Sequence, residues 1–220
     1  MGWLFGRDRP PEKRPLLRSE IPRDGDRLGP APPPPRTAHA PGVRVYAFSE
    51  IPSQNQLRLD SGSGGFFLEG EEGRGGAAAL LVLTGVVPPG DVLVWSPSLS
   101  LEEISRTSPE PHRHIRRDDL GGRAVPGITG LRALARLPEA GLAVLRLGPP
   151  PGARWVFKGV AAVAVFSGRL AALDGEDVKE IRAGSLARVA DPTATLYLEA
   201  GNDAALAVAL AAEDFVAALG

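Results

Sequence analysis

From position 43 onward, apolar and polar residues alternate in short stretches. Val43-Arg44-Val45-Tyr46-Ala47-Phe48 alternates loosely and Gln56-Leu57-Arg58-Leu59-Asp60 cleanly, as strands with one buried face do. A glycine-rich turn follows, then Phe66-Phe67-Leu68. Ala77 to Val87 is a continuous apolar run broken by Thr84-Gly85. Its β-branched Val82, Thr84, Val86 and Val87, and the Pro88-Pro89-Gly90 that ends it, favour a buried strand over a buried helix. Asp91-Val92-Leu93-Val94-Trp95 is a further strand candidate, stopped by Ser96-Pro97.

Residues 98–123 are polar and carry Pro109, Pro111, His112 and His114, which predicts a long loop or a crossing between two halves. Thr129 to Leu137 is the best internal helix candidate, because Leu131, Leu134 and Leu137 recur at helical spacing and Pro138 ends the segment. Strand signals return at Leu142–Leu147, Arg154–Phe157, Val160–Phe166, Arg169–Leu173, Val178–Ile181, Leu186–Val189, Thr193–Glu199 and Ala204–Leu210. They are short, evenly spaced and punctuated by Gly, Asp, Asn or Pro, the pattern of a sandwich or barrel. Ala211 to Leu219 is rich in alanine and predicts a short closing helix.

The first 41 residues behave differently. They hold 10 of the 22 prolines, including Pro32-Pro33-Pro34-Pro35, and no apolar period. Such a segment favours polyproline II and cannot form a core. Residues 1–41 are therefore expected to be a disordered arm, with 42–120 and 121–220 as two β-rich halves. At the free end of the arm, Trp3-Leu4-Phe5 is a compact apolar cluster between Gly2 and Gly6. It reads either as a frayed terminus or as a partner-binding tip on a tether.

Composition narrows the classes. The arm carries eight Lys/Arg and five Asp/Glu, so it is +3 and the remainder of this −1 chain is −4. That is no basic footprint for nucleic acid. Cysteine is absent, which removes disulfides, thiol nucleophiles and zinc-thiolate sites, and fits a reducing compartment. Few lysines and abundant Arg, Ala, Gly and Pro suggest a GC-rich bacterial source. No run approaches the roughly 20 apolar residues of a membrane span, and the start lacks a signal-peptide layout. A cytoplasmic location is expected.

Residues 160–210 resemble the C-terminal part of a cupin jelly roll. The carriers are Val163-Ala164-Val165-Phe166-Ser167-Gly168-Arg169-Leu170 as a strand–Gly–strand step and Asp174-Gly175-Glu176 as a hairpin tip. Ala183-Gly184-Ser185-Leu186-Ala187-Arg188-Val189-Ala190-Asp191-Pro192 follows the second family motif, a glycine, a strand and a turn proline. Pro89-Gly90-Asp91-Val92-Leu93-Val94-Trp95-Ser96-Pro97 echoes that motif and is similar to a degenerate two-cupin chain of the pirin group. The resemblance implies a mostly β fold, a cupin-like jelly roll or another β-sandwich or barrel, with one or two short helices. Cupins hold metal through a His-x-His pair plus a carboxylate before the central hairpin. Here that stretch is Arg154-Trp155-Val156-Phe157-Lys158, which lacks metal-binding side chains. No metal or other cofactor is expected in this half.

One ligand-like constellation stands elsewhere. His112-Arg113-His114 is followed by Asp118 and Asp119. On a strand, His112 and His114 face the same side, and Asp118 could complete a facial triad. The neighbouring arginines and prolines favour a solvated loop instead. No nucleophile elbow, Walker loop or dinucleotide fingerprint occurs. The function expected is a non-catalytic structural or accessory one, with a protein partner or a homo-oligomer. The alternative is a small-molecule-binding or metal-dependent cupin-like enzyme using His112, His114 and Asp118.

Overall fold

The computed structural model describes residues 40–69, 77–95, 104, 111, 113–119 and 122–219. Nearly all of the expected disordered arm, with Trp3, Leu4 and Phe5, lies outside these residues, as does His112. Among the described residues the chain forms fifteen strands in two antiparallel sheets. They are β1 (Val43–Ala47), β2 (Gln56–Arg58), β3 (Gly64–Glu69), β4 (Ala78–Thr84), β5 (Val92–Trp95), β6 (Arg113–Ile115), β7 (Arg123–Ala124) and β8 (Leu131–Leu137). They continue as β9 (Leu142–Leu147), β10 (Arg154–Ser167), β11 (Arg169–Asp174), β12 (Asp177–Arg182), β13 (Ser185–Val189), β14 (Leu196–Ala200) and β15 (Leu206–Leu219). Single 3-10 turns stand at Phe48–Glu50, Ser53–Asn55 and Pro138–Ala140.

The larger sheet runs β12-β11-β14-β10-β15-β9-β8-β7, and β13 adds to β10 and carries β1 on its far side. The long strand β10 is shared. Its first part, Arg154 to Phe157, pairs with β14, and its later part, Ala162 to Val165, pairs with β13. β15 follows its opposite edge throughout, with register shifts on either side of Val160. Gly159 makes this bend possible. Its φ is +87, and a Cβ there would lie 3.2 Å from the Phe215 Cα. A strand bent in this way lets one sheet curl around an interior, as a jelly-roll barrel does.

Alternation along these strands assigns two faces. Val163 and Val165 of β10, Ala207, Ala209 and Ala211 of β15, and Leu145 and Leu147 of β9 point into the barrel. The residues between them, Ala162, Ala164, Val208, Leu210 and Val144, point outward. They are buried all the same, because the five-stranded sheet β2-β3-β4-β5-β6 packs there with Phe66, Ala79, Leu81, Val92, Val94 and Ile115. Burial on both faces explains why these strands read as continuous apolar runs rather than clean alternations. The far face of the small sheet buries Leu80, Val82, Leu93 and Trp95 with Ile104. Trp95 and Trp155 are both core residues, 1% and 2% exposed.

Two helix expectations are corrected. The Thr129–Leu137 segment is a turn at Thr129-Gly130 followed by strand β8, which pairs with β9 from Leu131 to Leu137. A bulge between Ala133 and Ala135 shifts the phase, so Leu131 faces the barrel and Leu137 faces the small sheet. Three leucines at helical spacing therefore serve two cores, and cross-strand pairing overrides local propensity. The Ala211–Leu219 segment belongs to β15, bonded to β9 as far as Ala212 and to β10 from Val216 to Leu219. The expected loop over 98–123 contains the short strand β6, and β7 begins at its last residue, Arg123.

The start of the described chain is tied to the barrel. The two carboxylate oxygens of Asp174 accept hydrogen bonds from the Gly42 and Val43 amides at 2.8 and 3.0 Å. β1 then pairs with β13 in register from Val43↔Val189 to Ala47↔Ser185. Among the described residues no helix is long and apolar enough to cross a membrane.

Candidate functional site

Among the described residues, Ser63 and Asp91 are the buried polar ones, and both belong to the small-sheet side of the molecule. The Ser63 hydroxyl accepts the Val87 amide at 3.0 Å, which closes a turn. Asp91 has more partners. It follows Gly90, whose φ of +96 turns the chain out of Pro88-Pro89 into β5. The Asp91 Oδ1 accepts the Arg117 amide at 2.9 Å, and its Oδ2 lies 2.8 Å from the His114 Nε2. That contact places the proton on Nε2, donating to the carboxylate, and leaves Nδ1 available. The His114 side chain is 37% exposed and that of Asp91 only 4%. His114 stands opposite Leu93 in the β5–β6 pairing.

Arg117 completes the cluster. Its Nη1 donates to the Pro89 carbonyl at 2.8 Å, and its guanidinium lies 5.7 Å from the Phe166 ring centroid. The Gly90 φ of +96 favours glycine, and a Cβ there would come within 2.5 Å of the Arg117 Cδ and displace that side chain. The remaining Arg117 donors reach Asp118, Nε at 3.4 Å and Nη2 at 3.2 Å. The Arg117 hydrogen bond holds the Asp118 carboxyl below the ordinary carboxylate range; slight burial opposes this, and the charges of Arg117 and Arg146 add to it.

The structure thus pairs His114 with Asp91 and Asp118 with Arg117. Among the described residues no three His, Cys, Asp or Glu side chains gather as a metal-binding group. Asp91 was not singled out from the sequence. Its only local signal is an acid between Gly90 and an apolar strand, where a carboxylate must find buried donors. The dyad can position a proton acceptor at the His114 Nδ1, and it also fastens residues 116–119 to the small sheet.

The barrel interior is the other place to look. Trp155 and Phe157 project into it from β10, with ring centroids 5.9 Å apart and planes at 89°. Across the β10–β14 pairing they face Leu198 and Leu196, also interior residues. All four are at most 2% exposed. The Trp155 Nε1 is buried and has no hydrogen-bond partner among the described residues. An indole N–H is a donor and holds no metal.

No protein-family model matches the sequence, and no curated protein is similar to it. Solved structures similar to the chain include an uncharacterised double-stranded β-helix protein from Klebsiella pneumoniae, at 20% identity and a TM-score of 0.35, covering 45% of this chain and 90% of that one. Ectoine synthase from P. lautus is similar at 15% identity and a TM-score of 0.34, over 45% and 81% of the two chains. Pumpkin seed globulin is similar at 16% identity and a TM-score of 0.36, over 49% and 32%. Each likeness spans less than half of this chain and concerns the β architecture alone.

Proposed function

We propose that this protein is a non-catalytic structural or accessory component, in which the β-rich body carries a partner-binding arm. The observation that supports this most is the filling of the barrel. Trp155, Phe157, Leu196 and Leu198 occupy the interior on β10 and β14. A site needing acids, bases or metal ligands there would have to replace packed aromatic and aliphatic side chains. The arm, residues 1–41, acts as the tether, and Trp3, Leu4 and Phe5 form its docking tip. Burying those three side chains contributes roughly 1.5–3 kcal/mol each before ordering costs. The linker then raises the tip's effective concentration at a partner already held by the body. A cysteine-free chain suits a reducing bacterial cytoplasm.

A second contribution comes from the free stretch of β15. Its neighbour β9 pairs only as far as Ala212, so from Val216 to Leu219 the strand has β10 on one side alone among the described residues. Val216 and Leu219 are 59% and 61% exposed. β12, another edge, carries Asp177, Lys179, Glu180 and Arg182, the usual protection against strand addition. The β15 edge carries no such charge between Phe215 and Leu219, which suits addition of a strand from a partner or a second copy.

The test is native purification with and without residues 1–7. Loss of co-purifying protein, with an unchanged melting temperature, is the expected result. Full recovery of all partners by the truncated chain would reduce the tip to a plain terminus. The rival reading, a cupin-like enzyme or small-molecule binder, draws on the half-exposed His114 against Asp91. Stoichiometric metal in the purified protein, lost on replacing His112 and His114 with alanine, would favour it over the structural role.

A further inference from the structure

The segment from Arg113 to Arg146 is unlike the rest of the body in charge. It holds Arg113, Arg116, Arg117, Arg123, Arg132, Arg136 and Arg146 against Asp118, Asp119 and Glu139, so it is +4 within a remainder of −4. The fold concentrates part of this charge on the outer face of β8 and β9. Arg132 and Arg146 are direct partners across that antiparallel pair, and Val208 continues the same row on β15. Like charges directly opposite each other destabilise a sheet unless something lies between them.

Arg132 has a fixed role, since its Nε and Nη2 donate to the Gly122 carbonyl at 3.1 and 2.8 Å. Arg146 differs: its Nε is buried and has no hydrogen-bond partner among the described residues. Asp118 is near enough for the Arg146 charge to help lower its pKa, yet it gives its carboxylate to Arg117. A buried guanidinium N–H without an acceptor, beside a second guanidinium, is costly in a folded protein. A ligand with two or three oxygens removes that cost, because the planar fork matches phosphate and carboxylate geometry.

We propose that Arg146, with Arg132 beside it, forms a binding site for an oxyanion, a phosphate or a carboxylate carried by a small molecule, on the outer face of β8 and β9. The inference is independent of the structural role proposed above and of the His114–Asp91 pair. It predicts a site built from the sheet itself, distinct from the filled barrel interior.

The experiment uses the full chain and two probes, inorganic phosphate and succinate, against sodium chloride at equal ionic strength. The Arg146 Nε–Hε resonance is followed by NMR, and affinity is measured by calorimetry. One probe or both should shift that resonance saturably, and Arg146→Met should weaken binding roughly ten- to a hundredfold, as the loss of a charge-assisted hydrogen bond does. Arg116→Met, an exposed arginine of the same segment, should leave the affinity unchanged. A response to phosphate alone identifies a phosphate ligand, and a response to succinate alone a carboxylate. If neither probe moves the Arg146 signal, or if Arg146→Met binds as tightly as the native chain, the proposal is overturned. Should Arg146→Met fail to fold, the native resonance alone decides.

Discussion

Replacing Asp91 by alanine tests the account of the buried carboxylate. Asp91 accepts the Arg117 amide at 2.9 Å and meets the His114 Nε2 at 2.8 Å. Removing it leaves the Arg117 N–H without its acceptor, which costs about 1–3 kcal/mol for a poorly hydrated amide. His114 is half-exposed and can turn to water, so its share is smaller, about 0.5–1 kcal/mol. The sum centres on about 3 kcal/mol, which in a body of this size lowers the melting temperature by roughly 6–12 °C. Thermal unfolding by near-UV circular dichroism measures this, and hydrogen exchange at Arg117 localises it. Asp91→Asn should cost less, because its carbonyl still accepts the amide and its NH2 can donate to the other His114 tautomer. A double-mutant cycle with His114→Ala should be non-additive, since the two residues share one contact. A shift of under about 2 °C for Asp91→Ala, typical of a plain surface change, would refute the reasoning.

Three further outcomes follow from particular contacts. Gly159→Ala forces a β-carbon onto a residue at φ +87 and 3.2 Å from the Phe215 Cα; chemical denaturation should show a loss of about 1–3 kcal/mol. Asp174→Ala removes both acceptors of the Gly42 and Val43 amides; exchange at Val43 should accelerate while Val163 in the barrel stays protected. The Asp118 carboxyl sits below its ordinary value of 3.8, first through the Arg117 hydrogen bond. A depressed pKa contributes stability that is present above the ordinary value and lost as pH falls through the folded one. Asp118→Asn should therefore cost a few tenths of a kcal/mol near neutrality, as exposed pairs do, and nothing in strong acid; melting curves across that range check the sign.

The candidate site was only partly legible. The sequence pointed to His114 but not to its partner. Asp91 lies 23 residues earlier, and the β5–β6 pairing with the turn at Gly90 is what brings the two together. The sequence grouped Asp118 with the histidines, whereas the structure gives it to Arg117, its immediate neighbour. Arg146 shows nothing unusual in the sequence. The unsatisfied Nε of Arg146 exists only once β8 and β9 are paired and Arg132 stands opposite.

Local chemistry decided the strands whose ends are marked by turn residues. Leu142–Leu147 emerges with its expected bounds, and β11, β12 and β13 within one residue at each end, because glycine and short polar turns punctuate them. The sequence by itself also determined the β class and the absence of metal ligands before the hairpin, both being matters of residue identity. Only the tertiary structure decided that Leu131–Leu137 and Ala211–Leu219 are strands, that one fourteen-residue strand runs through Gly159, and which apolar residues face which core. Alanine and leucine suit helix and strand alike, so neighbouring strands settle the outcome. A residue buried on both faces of a sheet leaves no alternation in the sequence from which its side could be read.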